Sequence, residues 1–260
     1  VSKPEVVDEF AETGMVRLDA AFPTAAAERM AEAVWSYAER KAGIRRHDPA
    51  SWPDGPLGLS WKGLKSNRAF NVLIDNDPVR TALDGVFGAG QWLPPRPGAQ
   101  VLLTLPRPGD WVLPGTWHMD CGFERPSWPV HGVKLFAFFG EVGPKGGGTM
   151  VLPGTHRVVD RYRRSLPPGT GAGVVNWTRL LRQHPFLAQL LNGHRMSDGG
   201  RSLVGQVGDV NGAPVEVHEL TGKPGDVVLT HLHVYHAASP NVSARPRQML
   251  GKAIYRTGVW

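Results

Sequence analysis

Cysteine is almost missing from these 260 residues: Cys121 stands alone, which excludes an intrachain disulfide and suits a reducing compartment. Long apolar runs are missing too. The longest aromatic-apolar stretch, Leu135 to Phe139, is far too short to span a bilayer, and the N-terminus lacks the basic-then-apolar pattern of a signal peptide. These absences predict a soluble, cytoplasmic protein with no membrane partner, although a chain beginning at Val1 rather than Met leaves a removed leader open. There is no internal repeat, no low-complexity tract and no nucleophile elbow. The run Gly143-x-x-Gly146-Gly147-Gly148 lacks the Lys-Ser/Thr of a P-loop and leads into a strand, which excludes that nucleotide site. Isoleucine is scarce (Ile44, Ile74, Ile254) and arginine far outnumbers lysine, a bias associated with GC-rich bacteria.

What is present is positive charge and turn-forming residues. The formal net charge is +6, yet basic residues cluster only in Arg157 to Arg164. A nucleic-acid module would show a longer basic stripe with interleaved aromatics, so this cluster reads as a solvated loop or helix face, with an anion-binding rim as the alternative. Net positive charge favours neutral or acidic small molecules as substrates. The 32 glycines and 23 prolines are scattered as punctuation, which implies many short strands rather than a disordered tract.

The N-terminal third reads as helical. Pro4 to Ala11 is a short amphipathic helix stopped at Gly14, and Met15 to Asp19 is a strand. Thr24 caps a long helix with Met30, Val34, Tyr37 and Ala38 on its apolar face, ended by Gly43 as a left-handed cap. Residues 44–68, with Trp52 and Trp61, have no period and suit either a lid or an irregular loop held by its aromatics. Asp77-Pro78, with Asp at the cap, opens a helix that runs to Gly88. From Gln100 onward strands dominate: Gln100 to Leu105, Thr116 to Asp120, Val133 to Phe139, Thr149 to Leu152, Gly205 to Val210, Pro214 to Leu220, Val227 to His233 and Gln248 to Tyr255. Asn211-Gly212 marks a hairpin. The expected fold is therefore mainly β with flanking helices (α+β), a double-stranded β-helix of the cupin-like jelly-roll kind. The expected organisation is one domain over residues 1–260: a mostly helical cover (1–95) and a jelly-roll core (96–260). An insertion at 157–204 contains a helix from Asn176 to Leu191, broken at Pro185.

The chemistry lies in Trp117-His118-Met119-Asp120. If residues 116–120 form a strand, a period of two sends His118 and Asp120 to one face with Cα atoms roughly 6–7 Å apart, close enough to clasp one ion. Among ten histidines, one His-x-Asp is weak evidence. A second cluster, His231, His233 and His236, follows Gly225-Asp226. Alternation puts His231 and His233 on one face and His236 on the other, and spacing does not choose which completes the set. Two imidazoles and a carboxylate on one side of a metal form the facial triad of non-haem iron(II) oxygenases, with positions left open for cosubstrate and dioxygen. Arg247 is the natural anchor for an acid cosubstrate, because its rigid fork can hold a carboxylate bidentately. Cys121 points away from the metal if Asp120 points in, and Trp117 and Phe136 read as core aromatics. His131, His184 and His194 have no partner that the sequence names.

WHMD at 117–120, GGGTMVLPGTHR at 146–157 and GDVVLTHLHVYHAASPNVSARPR at 225–247 resemble, in order, the signature segments of the phytanoyl-CoA dioxygenase family of iron(II)- and 2-oxoglutarate-dependent oxygenases. The resemblance spans roughly residues 5–255 and is poorest in 44–75 and 157–204. It implies His118, Asp120 and His236 as iron ligands and Arg247 on the distal carboxylate of 2-oxoglutarate. It makes His231 structural and gives His156 and Arg157 a scaffold role. Where the family often carries Ser or Thr two positions after the last ligand, this chain has Ala238, so that contact falls to Thr104, Thr149 or Gln100. Asp120 is absent from halogenating relatives, so its presence favours hydroxylation, or cyclisation or epimerisation through C–H abstraction, with O2 as oxidant.

Members of this family in GC-rich bacteria often tailor secondary metabolites, which makes the expected substrate a small molecule of that kind, bulky and apolar or glycosylated. The aromatic loop and the insertion are the expected pocket walls. Phytanoyl-CoA itself is disfavoured, since no basic cradle for its phosphates is evident beyond Arg161 to Arg164. The rival readings are a non-catalytic metal-binding jelly roll and a zinc-type hydrolase, the latter needing a carboxylate such as Glu124 or Glu141 beside the metal. Nucleic acid is not an expected partner, and the sequence leaves the oligomeric state open.

Overall fold

The computed structural model describes residues 3–55, 57–64, 66–95, 98–122, 125–167 and 177–258. In chain order its elements are α1 (Lys3–Thr13), β1 (Met15–Leu18), α2 (Thr24–Ala42), α3 (Asp77–Phe87), β2 (Gln100–Thr104), β3 (Gly132–Phe138), β4 (Met150–Leu152), α4 (Thr155–Ser165), α5 (Trp177–Arg182), α6 (Pro185–Asn192), β5 (Val207–Val210), β6 (Ala213–Glu216), β7 (His218–Glu219), β8 (Val227–His231), β9 (Tyr235–Ala237) and β10 (Arg247–Tyr255), with short 3-10 turns between.

Strand alternation sets the architecture. The larger sheet is antiparallel in the order β1-β8-β3-β10-β2. From one face Val133, Leu135, Ala137, Val227, Leu229, Leu250, Ile254, Val101 and Leu103 join the buried side chains of α1, α2 and α3 in one apolar layer. From the other face Phe136, Phe138, Val228 and Met249 meet Val151 and Val234. That second layer is the inside of the jelly roll. Its far wall is the smaller sheet β7-β4-β9, whose outer residues Met150, Leu152, Tyr235 and Ala237 pack under α4, α5 and α6. Each fully buried Leu, Val or Phe contributes roughly 1.5–3 kcal/mol, so both sheets are held mainly by these layers.

Local signals hold in kind but not always in place. Gly14 and Gly43 have φ of 70°, and both end helices as expected. The long helix is capped by Pro23, not Thr24, which is its first helical residue and makes no capping bond. Likewise Asn76, not Asp77, caps α3, accepting from Val79 N at 2.9 Å. Asn211 and Gly212, at φ of 54° and 77°, make the β5–β6 turn.

Three expected strands are corrected. Residues 116–120 form no strand, only an isolated bridge from His118 to His236, because Asp120 N–H turns to Leu232 O at 3.1 Å. The stretch 214–220 divides into β6 and β7 because it changes partner: β6 pairs with β5 and β7 with β4, while Val217 bonds Gln206 and Gly205 between them. The strand beginning at Val227 stops at His231, where Val234 N–H closes a turn on His231 O and the chain crosses to the smaller sheet as β9.

Candidate active site

His236 sits in the middle of β9, opposite Val151, and so faces the interior. His118 exchanges both backbone bonds with it (His118 N to His236 O 3.0 Å, the reverse 2.9 Å), which makes the two residues a hydrogen-bonded antiparallel pair with side chains on one face. Their ring centroids are 4.2 Å apart. His236 Nδ1 lies 3.1 Å from Val234 O; a carbonyl only accepts, so Nδ1 carries the proton and Nε2 turns its lone pair inward, 3.7 Å from Asp120 Oδ2. Burial holds the His236 imidazole well below its ordinary pKa, although Asp120 pulls the other way. One ligating atom from each of His118, Asp120 and His236 lies within 4.8 Å of the others, with His118 and Asp120 exposed and His236 buried. The structure thus selects His236 over His231 and His233 as the partner of His118 and Asp120.

Lys134, on the inner face of β3, places Nζ 3.3 Å from Asp120 Oδ2. The sequence reading missed it, although a lysine inside the apolar run Val133 to Phe139 was the available signal. Gly251 of β10 gives it room: a Cβ there would stand 3.2 Å from Lys134 Cε. Lys134, Gln100 and Gly251 together open onto a cavity of about 880 Å³ walled by Trp61, Leu93, Pro94, Pro95 and Tyr255. Among the described residues none of the 157–204 insertion lines it: α4, α5 and α6 pack on the outer side of the smaller sheet, and residues 168–176 lie outside the described residues, while Trp61 of the aromatic loop does reach the cavity.

Arg247 begins β10 opposite Thr104 and shares the inner face with Met249. It is buried, and its guanidinium donates to Leu102 O at 3.2 Å and Gly147 O at 2.7 Å. No carboxylate among the described residues pairs with it, and burial draws its pKa down to about 10. Thr104 is half-buried, and Thr149, with the parity of Val151, is buried toward the same interior. Gln100 lies at the opposite end of β2 from Thr104, on the cavity side. Ala238 is exposed, and its neighbour Ser239 spends its hydroxyl on Gly148 O at 2.7 Å.

Of the carboxylates a hydrolase would need, Glu141 is exposed and paired with Arg245, and Glu124 lies outside the described residues. His231 and His156 are buried in backbone bonds, to Ser127 O and Ala11 O, as scaffold groups would be. Trp117 is buried and donates to Leu190 O. Among the described residues no helix is long and apolar enough to cross a membrane.

A jelly roll carrying two imidazoles and a carboxylate on its inner wall, with a buried arginine across the interior that no described carboxylate pairs, has the architecture of the non-haem iron- and 2-oxoglutarate-dependent oxygenases. The chain belongs to the phytanoyl-CoA dioxygenase family, whose model matches residues 10–249, and it is an oxidoreductase of that class. Solved structures share the fold. The epimerase SnoN, in complex with Fe3+, alpha ketoglutarate and nogalamycin RO, is 17% identical with a TM-score of 0.57, over 98% of this chain and 83% of that one. AviO1 from Streptomyces viridochromogenes Tue57 is 15% identical with a TM-score of 0.58, over 99% and 96%. The carbocyclase SnoK from nogalamycin biosynthesis is 14% identical with a TM-score of 0.53, over 98% and 86%. No curated protein matches the sequence.

Proposed function

We propose that His118, Asp120 and His236 hold iron(II), that Arg247 anchors the distal carboxylate of 2-oxoglutarate with Thr104 and Thr149 beside it, and that the enzyme tailors a bacterial secondary metabolite. The observation that carries this reading is the pairing of a convergent His-Asp-His set with a buried guanidinium that has no carboxylate partner among the described residues. The donor set fits iron(II): two neutral imidazoles and one carboxylate, with other positions left to exogenous ligands. When bound, iron(II) with 2-oxoglutarate and dioxygen supplies oxidation of an unactivated C–H bond, the cosubstrate leaving as succinate and carbon dioxide.

The chain's own residues supply orientation and dryness. Val234 O fixes the His236 tautomer, and the reciprocal bonds with His118 fix the angle between the rings. Lys134 bonds one oxygen of Asp120 and so disposes the carboxylate to ligate through the other. Phe136, with its ring centroid 6.1 Å from that of His236, and Val234 exclude water from the inner side. The fork donors that Arg247 does not spend on carbonyls are those a terminal carboxylate would take. The cavity beside Lys134 and Gln100 seats the substrate; its tryptophan, proline and tyrosine walls suit a bulky apolar scaffold, and its amide and ammonium groups suit sugar or acid substituents. The complex of SnoN with nogalamycin RO and the place of SnoK in nogalamycin biosynthesis support the secondary-metabolite assignment. We treat residues 1–260 as one catalytic domain, with no nucleic-acid partner.

Anaerobic reconstitution with iron(II) and 2-oxoglutarate is expected to give the weak visible band of the chelate, diminished in Arg247→Ala. Stoichiometric iron without any such band would sink the assignment. A panel of polycyclic and glycosylated metabolites is then expected to raise succinate formation above its uncoupled level. If none does, the secondary-metabolite class falls while the cosubstrate assignment stands.

A further inference from the structure

We propose that Cys121, His131 and His233 form a second metal site, independent of the His118-Asp120-His236 set, that takes a borderline-soft divalent cation of the zinc class. Three separate segments bring these residues together: Cys121 follows the bridge at His118, His131 immediately precedes β3, and His233 sits in the turn between β8 and β9. One ligating atom of each lies within 4.8 Å of the others. His131 Nε2 is 3.0 Å from Cys121 Sγ, and the His131 and His233 ring centroids are 5.4 Å apart.

Hydrogen-bond logic decides which nitrogens face inward. His131 Nδ1 lies 3.2 Å from Pro126 O, which only accepts, so Nδ1 bears the proton and Nε2 offers a lone pair to the sulfur. His233 Nδ1 lies 2.9 Å from Ser127 Oγ, and its Nε2 lies 3.1 Å from Gly122 O. With the ring proton on Nδ1, donated to Ser127 Oγ, whose own proton goes to His156 O at 2.9 Å, Nε2 presents a lone pair to the space it shares with Cys121 Sγ and Gly122 O. A cation there takes the place of the Nε2–H···O bond that the other tautomer makes. His233 is fully buried beside the rings of His131 and His231.

A cation satisfies all the groups at once. Sulfur, two imidazole nitrogens and the Gly122 carbonyl supply four donors, a set that suits zinc. Both rings already have Nδ1 oriented by a carbonyl or a hydroxyl, the arrangement typical of metal-bound histidines. Cys121 is only half-buried, which leaves a way in. Such a clip would tie the segment carrying His118 and Asp120 to both sheets and give it a structural role beside the oxidative site.

Cobalt(II) titration of the full chain tests this. Wild type is expected to bind two equivalents, one of them giving the intense near-ultraviolet sulfur-to-cobalt charge-transfer band that nitrogen and oxygen ligands do not produce. The band should vanish in Cys121→Ser and weaken in His131→Asn, yet persist in His118→Ala, where only the other equivalent is lost. Should Cys121→Ser fold poorly, zinc is expected to slow alkylation of Cys121 by iodoacetamide in wild type and His118→Ala but not in His131→Asn. One equivalent without the band, or no protection of the thiol, would overturn the site. The iron and 2-oxoglutarate band is read separately, so either assignment can fail without the other.

Discussion

Arg247 holds a charge that no carboxylate among the described residues neutralises. Two backbone carbonyls take part of its fork, and burial lowers its pKa without removing the charge near neutrality. A hydrogen bond to a charged group contributes about 1.5–3 kcal/mol, so breaking the bidentate hold is expected to cost roughly tenfold to a hundredfold in 2-oxoglutarate affinity. Arg247→Lys keeps the charge but loses the fork. Its 2-oxoglutarate Kd, measured by titrating the chelate band at saturating iron, should rise into that range; an unchanged Kd would show that the anchor lies elsewhere. The His118-x-Asp120 pair is weak on spacing alone; it and Arg247 stand out in the sequence because they fall, in order, within segments that resemble the family's signatures. Lys134 was visible as a charge in an apolar run, but its aim at Asp120 depends on the β3–β10 register and on the missing side chain at Gly251, neither of which is local information.

Helices and strands differ in how much of themselves they write into the chain. The apolar face of α2 recurs within the helix, so Met30, Val34, Tyr37 and Ala38 were identifiable from period alone, and all are buried. Caps are subtler. Thr24 has the favoured residue type for a cap but sits inside the helix, whereas Asn76 makes the bond to Val79. The two positions therefore separate the readings: Asn76→Ala should lose about 1 kcal/mol of stability, and Thr24→Ala should stay within about 0.5 kcal/mol. Urea midpoints at constant slope would show this, and equal losses at the two sites would contradict the cap assignment. Strand limits failed for a different reason. The break between β8 and β9, which turns His236 to the smaller sheet, arises from a change of pairing partner, and partners are distant in sequence. Similarly, nothing local announces that residues as far apart as Cys121 and His233 share one pocket.

At the scale of the whole molecule, the seam between α1, β8 and α4 is built from imidazoles that must stay neutral. Burial lowers His156 and His233 to about 4 and His231 well below the ordinary value of 6.5. Arg157 pushes His156 the same way, against the Ala11 carbonyl and Asp160. The ring centroids of His231 lie 5.4 Å from His156 and 5.1 Å from His233, so charging one ring raises the cost of charging the next. In the unfolded chain each imidazole takes up a proton near pH 6.5, while in the folded chain His156 and His233 refuse it until about pH 4 and His231 stays neutral well below 6.5. The unfolded state therefore binds more protons across that window, and stability falls as pH drops through it, by about 1.4 kcal/mol per pH unit for each ring. Three rings together give a slope of about 4 kcal/mol per pH unit, and a domain stable by about 5–15 kcal/mol does not survive two or three such units. Metal-free protein is thus expected to be most stable above pH 7 and to unfold before its surface carboxylates titrate. Urea midpoints at pH 7.5, 6.5, 5.5 and 4.5 should decline steeply below 6.5, and His231→Gln, if folded, should make the decline shallower. A midpoint that stays level between pH 7.5 and 5 would mean these rings gain protons in the folded state, and that the seam is open to water.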